Sequence, residues 1–233
     1  MLKAEDFFTL SESFIFKDDF SLSDSPWLWV QGIKKAATRL DSEAFKLSES
    51  KSDIPPNLHI EGSVFIHPTV NLPPFGSISG PCYIGKHSVL RPGVFIRGNV
   101  IVGESCLLGN SCEFKNALIL DGAQIPHFSY VGDSVIGQAA HLGAGVICSN
   151  LRLDQKPVKV CDLGGKRFDT GMRKLGAIIG DRVEIGCNTV LNPGSLLLAE
   201  SMVYPNLTFS GTLNSGQVAY QEKGLKSVRF KSK

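Results

Sequence analysis

The chain has 233 residues, 42% of them hydrophobic, and its 24 basic and 22 acidic residues leave a net charge of +2. So even a balance excludes a nucleic-acid footprint built on bulk positive charge. No apolar run reaches the length of a membrane span, and the first residues lack the pattern of a secretory leader.

Residues 1–25 are acidic and aromatic without a clear period. Ser25-Pro26 then opens a predicted helix from Trp27 to about Leu40, with proline in its first turn. Residues 41–57 are polar and end in Pro55-Pro56, a linker composition. Residues 1–57 are therefore expected to form an N-terminal extension and helical linker.

From Leu58 a strict interval of six takes over: Ile60, Ile66, Leu72, Ile78, Ile84, Leu90, Ile96, Val102, Leu108, Phe114 and Leu120. A helix needs spacings near 3.6 and an ordinary strand needs alternation, so neither explains it. An interval this short marks a solenoid of short strands, a parallel β-helix. Three hexapeptides close one triangular coil, so residues 18 apart lie above one another. Ile60, Ile78, Ile96 and Phe114 are expected in one internal stack. Ile66, Ile84, Val102 and Leu120 form a second, and Leu72, Leu90 and Leu108 a third. The register is expected to slip by one residue after Leu120, giving Ile125 and Val131, and again before Ile136 and Leu142.

Residues 149–176 break the pattern and are expected to leave the coil as a long functional loop. The interval returns with Ile179, Ile185, Leu191, Leu197 and Val203. The predicted β-helix domain spans 58–205, and 206–233 form a cap and a basic tail. Cys82, Cys106 and Cys112 sit at repeat positions, as small core residues of a reducing, cytoplasmic setting. No Cys-x-x-Cys or Cys-His pattern suggests a zinc site.

The chemistry-bearing residues cluster where the register slips: Pro126-His127-Phe128-Ser129-Tyr130-Val131-Gly132-Asp133, then Leu142-Gly143-Ala144-Gly145 and Asn150. With Asp169-Thr170-Gly171-Met172-Arg173-Lys174-Leu175-Gly176-Ala177-Ile178-Ile179-Gly180-Asp181, this stretch resembles the acetyltransferase domain of the bifunctional glucosamine-1-phosphate acetyltransferase/N-acetylglucosamine-1-phosphate uridylyltransferase. The archaeal-type sugar-phosphate nucleotidylyltransferase/acetyltransferase is the nearest variant. The similarity is specific from about Glu113 to Gly194; from Leu58 to Phe114 it is general hexapeptide pattern.

The resemblance implies a left-handed winding, a homotrimer and acetyl-CoA as co-substrate without a metal. It places the catalytic base at His127 in His-x-x-Tyr-x-Gly-Asp, with Tyr130 beside it for the acceptor. An amine attacking a thioester must lose a proton, which an imidazole accepts near neutral pH. A backbone N–H of Gly143-Ala144-Gly145 is a candidate donor to the developing oxyanion; plain corner geometry is the alternative for these glycines. The family's acetyl-CoA contacts correspond to Ala144, Asn150 and Cys187, the last where the family often has Ser. Lys115 in Glu113-Phe114-Lys115 and Lys156 in the loop correspond to acceptor-binding lysines, and Lys159 is a second basic residue nearby. Arg97, 18 before Lys115, is expected to stack with it, two unpaired cations that an anion would reconcile. Arg91 has the family's local context in Leu90-Arg91-Pro92-Gly93 but another register.

His141 stands where the family has Asn, as a second acid/base group or a substituted hydrogen bonder of the acceptor. The chain is too short for the family's nucleotidyltransferase domain, so no uridylyl transfer is expected of it. The leading reading is acetylation of an amino-sugar phosphate, most simply glucosamine 1-phosphate, without nucleic acid or membrane as partner. Three others remain open: a nucleotide-linked amino sugar as acceptor, a non-catalytic trimeric scaffold, and a zinc-dependent carbonic anhydrase using His87, His127 and His141.

Overall fold

A computed structural model describes residues 2–39 and 53–222. The expected helix is present as Leu28–Thr38. It starts after a turn in which the Leu28 N–H donates to the Ser25 carbonyl. The far end of the predicted helix, most of the linker and the basic tail from Lys223 lie outside the described residues.

The solenoid is built from three parallel faces. The first carries Asn57–Glu61, Phe75–Ser79, Val94–Arg97, the start of Glu113–Ile119, the start of Tyr130–Ile136, Ile147–Cys148, Val190–Leu191 and Thr208–Phe209. The second carries Val64–Ile66, Cys82–Ile84, Val100–Val102, the ends of those two seven-residue strands, Ala177–Ile179, Ser195–Leu197 and Thr212–Leu213. The third runs from Val89–Leu90 to Val218–Ala219. The paired strands therefore continue past residue 205, where the sequence pattern had stopped.

The first expected stack is present: Ile60, Ile78, Ile96 and Phe114 are partners in successive coils. The second needs one correction. Val102 pairs with Ile119, and Leu120 is not in that stack. The cause is a corner. Between Arg97 and Val100 the chain turns through two residues, Gly98 and Asn99, both at positive φ. The next coil turns through Asn116 alone, at φ 48°, and the one after through Asp133 alone, at φ 49°. Asn and Asp tolerate this left-handed conformation better than most side chains. Losing one corner residue shortens the coil to 17, so the slip falls before Ile119 and persists in Val135↔Leu118 and Val131↔Phe114. Each buried aliphatic in these stacks contributes about 1.5–3 kcal/mol.

The second face is apolar on both sides. Tyr83, Ile101, Leu118, Val135, Ile178 and Leu196 point outward and are nevertheless buried. Residues 2–39 cover them: Phe7, Phe8, Phe14, Phe16, Phe20, Trp27, Trp29 and Ile33 join them in a second core. Phe8 and Trp29 stack with ring centroids 4.9 Å apart, and the Trp29 indole N–H donates to the Ser21 carbonyl at 2.9 Å. Asp181 fastens this segment: its Oδ2 accepts from the N–H and hydroxyl of Thr9, both at 2.8 Å, and its Oδ1 from the Gln138 N–H at 2.8 Å.

The interruption at 149–176 is an ordered arm rather than a bare loop. Lys159–Cys161 and Arg167–Asp169 pair antiparallel within it. Phe168 stacks on Trp27 at 6.4 Å, so the arm rests on the N-terminal segment.

Candidate functional site

One corner, between the third and first faces, carries a column of site residues. The Gly145 N–H donates to the His127 carbonyl at 3.1 Å. One coil on, the Asn188 N–H donates to the Ala144 carbonyl at 2.8 Å, and then Asn206 to Cys187 at 2.9 Å. His127, Ala144 and Cys187 thus occupy the same corner in consecutive coils. At a strand spacing of about 4.8 Å the three span roughly 10 Å.

His127 is half-buried at the end of the strand Gln124–His127. Its Nε2 lies 3.4 Å from Arg91 Nη1. A guanidinium only donates, so in this contact Nε2 is the acceptor. Arg91 lies two coils below in the neighbouring column, under Gly109 and Pro126, where a Cβ on Gly109 would sit 1.7 Å from the Pro126 carbonyl oxygen. Of the three amides around Ala144, Gly143 N–H is taken by Ile185 O and Gly145 N–H by His127 O. Among these three amides the Ala144 N–H is the one without a partner among the described residues, so the candidate oxyanion donor narrows from three amides to one.

A second cluster lies at the opposite edge of the first face. Lys115 Nζ is 3.1 Å from both carboxylate oxygens of Asp133. Asp133, 6% exposed at its side chain, also accepts from Asn116 Nδ2 at 2.9 Å and from Asn150 Nδ2. Asn150 Nδ2 further lies 3.0 Å from the Tyr130 hydroxyl. Lys115, Tyr130 and Asn150 are thereby held in one network with Asp133 at its centre. Burial pushes the Tyr130 phenol up from its ordinary range, and the charges of Asp133 and Glu113 add to that.

The expectation of two unpaired, stacked cations is corrected here. Arg97 donates to Glu113 at 2.7 Å on the exposed side of the face, and Lys115 turns to Asp133. Residues at 97 and 115 do share a register, but carboxylates one coil up relieve both charges. An incoming phosphate therefore has to compete with them.

His141 lies on the third face with Nδ1 2.8 Å from Glu184 Oε2 in the neighbouring coil. It shares an apolar groove of about 400 Å³ with Cys187, Met202, Tyr204 and Pro205. Lys156 is exposed on the arm, where its N–H donates to Asp154 at 3.3 Å. Among the described residues of one chain no group of three or more His, Cys, Asp or Glu is placed to hold a metal ion.

Sequence reasoning missed Asp133 as the hub, although it stands inside the quoted motif, and Glu184 as the partner of His141. It weighed Arg91 and preferred Arg97, and the contact of Arg91 with His127, 36 residues on, had no signal in the spacing.

Residues 78–203 match the family model described as the GMPPB C-terminal domain. A bifunctional sugar-1-phosphate nucleotidylyltransferase/acetyltransferase of Sulfurisphaera tokodaii is 38% identical over 192 residues, 82% of this chain and 46% of that protein. The bifunctional protein GlmU of Methanococcus maripaludis is 38% identical over 58% of this chain and 32% of its own length. That of Methanocaldococcus jannaschii is 36% identical over 72% of this chain and 40% of its own length. The chain thus spans less than half the length of these relatives. The solved polysialic acid O-acetyltransferase OatWY aligns over 72% of this chain at 12% identity with a TM-score of 0.30, which carries no argument beyond the solenoid already described. The solenoid is a left-handed parallel β-helix.

Proposed function

We propose, for a chain that belongs to the GMPPB C-terminal domain family, acetyl-CoA-dependent N-acetylation of an amino-sugar phosphate, with glucosamine 1-phosphate the simplest acceptor. The observation that carries this reading is the corner column of His127, Ala144 and Cys187. The thioester lies along that column, with its carbonyl oxygen toward the Ala144 N–H. The acceptor amine attacks the carbonyl carbon, His127 Nε2 takes the amine proton, the carbon–sulfur bond breaks, and the imidazolium returns that proton to the departing sulfur to release the coenzyme A thiol. Arg91 holds the imidazole in its accepting tautomer.

Lys115, Arg97, Tyr130, His141 and Lys156 bind the acceptor, and Asn150 with Cys187 the donor. His127 and Lys115 stand about five strand residues apart, roughly 15 Å, at opposite edges of the first face. That gap supports a homotrimer in which a neighbouring copy closes each cleft. The reading assigns acyl transfer alone to these residues, without uridylyl transfer and without a metal. Six free cysteines, four of them buried, support a cytoplasmic setting.

The second reading is a non-catalytic trimeric scaffold. It is favoured by one observation: Lys115 and Arg97 already have carboxylate partners. Incubation with acetyl-CoA and a panel of amino sugars, following free thiol, separates the two. Thiol release with phosphorylated amino sugars supports the enzyme; coenzyme A binding without release from any of them supports the scaffold.

A further inference from the structure

The arm and the upper coils enclose a groove of about 700 Å³, distinct from the corner column. Its lining includes Arg152, Lys159 and Arg167 against the single carboxylate of Asp154, a local charge of +2 that equals the surplus of the whole chain. Asp154 is engaged by Arg152 through Nε at 2.8 Å and Nη2 at 2.7 Å. Lys159 and Arg167 make no ion pair among the described residues. The cross-strand neighbour of Lys159, Asp169, accepts instead from the Gly171 N–H at 2.9 Å.

The hairpin sets the two cations on one face. In the hairpin, Lys159 and Arg167 alternate with Val160 and Phe168, so they share the face opposite to those residues. Val160 is buried and Phe168 stacks on Trp27, which leaves the charged side toward the groove. The Thr212 hydroxyl, donating to the Cys161 carbonyl at 2.5 Å, ties the hairpin to the last coils. On the facing wall Asn192 donates to Ser210 at 2.6 Å, a polar lining without further charge. Unpaired cations beside neutral donors are suited to a phosphate, which Arg engages through its planar fork, although Asp169 shares the face of Lys159 and Arg167.

The groove also has an address. Ser149 and Leu151 line its floor, one on each side of Asn150. The arm returns there, since the Leu175 N–H donates to the Asn150 carbonyl at 3.0 Å. We propose that this groove binds a phosphate group, and that its source is the nucleotide end of the coenzyme A donor, held by Lys159 and Arg167 with Arg152 beside them. The inference rests on the acyl-transfer reading for the identity of the donor; the charge and shape of the groove stand without it.

Calorimetric titration of the full chain tests this with three probes: coenzyme A, 3′-dephospho-coenzyme A and glucosamine 1-phosphate. Arg167→Ala should weaken coenzyme A roughly tenfold to a hundredfold, the loss expected for a charged hydrogen bond. Its effect on 3′-dephospho-coenzyme A should be smaller, and glucosamine 1-phosphate should be unchanged. Arg167→Lys should recover part of the loss, which shows that the arm still folds. Lys166→Ala is the control: it removes the same charge from the same hairpin, but Lys166 lies over the Phe168 ring at 5.3 Å and does not line the groove. Coenzyme A binding that is unaltered in Arg167→Ala, absent in the wild type, or weakened equally by Lys166→Ala overturns the proposal. A loss confined to glucosamine 1-phosphate assigns the phosphate to the acceptor and overturns the stated source. Thiol release by a wild type whose coenzyme A affinity ignores Arg167 refutes the groove and leaves acyl transfer standing. Arg167-dependent binding without thiol release does the reverse.

Discussion

The Gly145 N–H donates to the His127 carbonyl, which sets Ala144 on the corner directly over His127. Because Gly143 and Gly145 spend their amides on neighbouring coils, the Ala144 amide is the group free to meet an oxyanion. His127 as base and the Ala144 amide as oxyanion donor, one coil apart on one corner, are the elements the proposed acyl transfer requires. Arg91→Ala removes the contact that holds the His127 tautomer. It should lower kcat about tenfold with little change in the acceptor KM, measured on glucosamine 1-phosphate. An unchanged kcat would show that the 3.4 Å contact does not orient the ring.

Lys115 should act on the phosphate of the acceptor rather than on chemistry. Lys115→Ala should raise the acceptor KM for glucosamine 1-phosphate by roughly tenfold or more, and hardly change that for unphosphorylated glucosamine. Arg97→Ala should act in the same direction but less, since Arg97 is exposed and paired with Glu113. Equal losses on both sugars would refute a phosphate role for either.

The cysteines should separate by location. Burial pushes the thiols of Cys106 and Cys148 up to about 12 and that of Cys82 higher still. They stay protonated and inaccessible, whereas Cys187 is exposed on the corner column proposed to hold the donor. Brief treatment of the native protein with a thiol reagent should label Cys187 first. Coenzyme A should slow that labelling, read by peptide mass mapping. Labelling indifferent to saturating coenzyme A would remove Cys187 from the donor site.

Much of this was legible in the sequence because an interval of six with apolar residues inward admits few other structures. The stacks through Ile96 and Leu108 follow from it, as do the inward positions after the arm. The misplacement of Leu120 has a local cause: a single-residue corner at Asn116 and a two-residue corner at Gly98-Asn99 look alike when only apolar spacing is read. The N-terminal aromatics had no period because they do not form a repeat; they cover the outward residues Ile101, Leu118 and Val135 of one face. The ion pairs of Lys115 and Arg97 were hidden because a partner one coil away is 16 to 18 residues off in sequence.

The fastening of that N-terminal segment has a pH signature. Burial raises the carboxyl of Asp181 above its ordinary 3.8, against the hydrogen bonds from Thr9 and Gln138. The folded chain then holds this proton more tightly than the unfolded one. Its contribution therefore falls as pH rises from the unfolded value through the raised folded value. Asp181→Asn should flatten that segment of the curve of unfolding free energy against pH, followed by urea titration. Asp121, raised for the same reason, keeps a residual slope. A wild-type slope retained in full by the variant would exclude Asp181 as its source.

The most direct test of acyl transfer at this corner is the turnover of His127→Ala with acetyl-CoA and glucosamine 1-phosphate, followed as free thiol. The account predicts that kcat falls by roughly 10²–10⁴ while acceptor binding, measured by calorimetry, stays nearly intact. Turnover in His127→Ala equal to that of the wild type would contradict it.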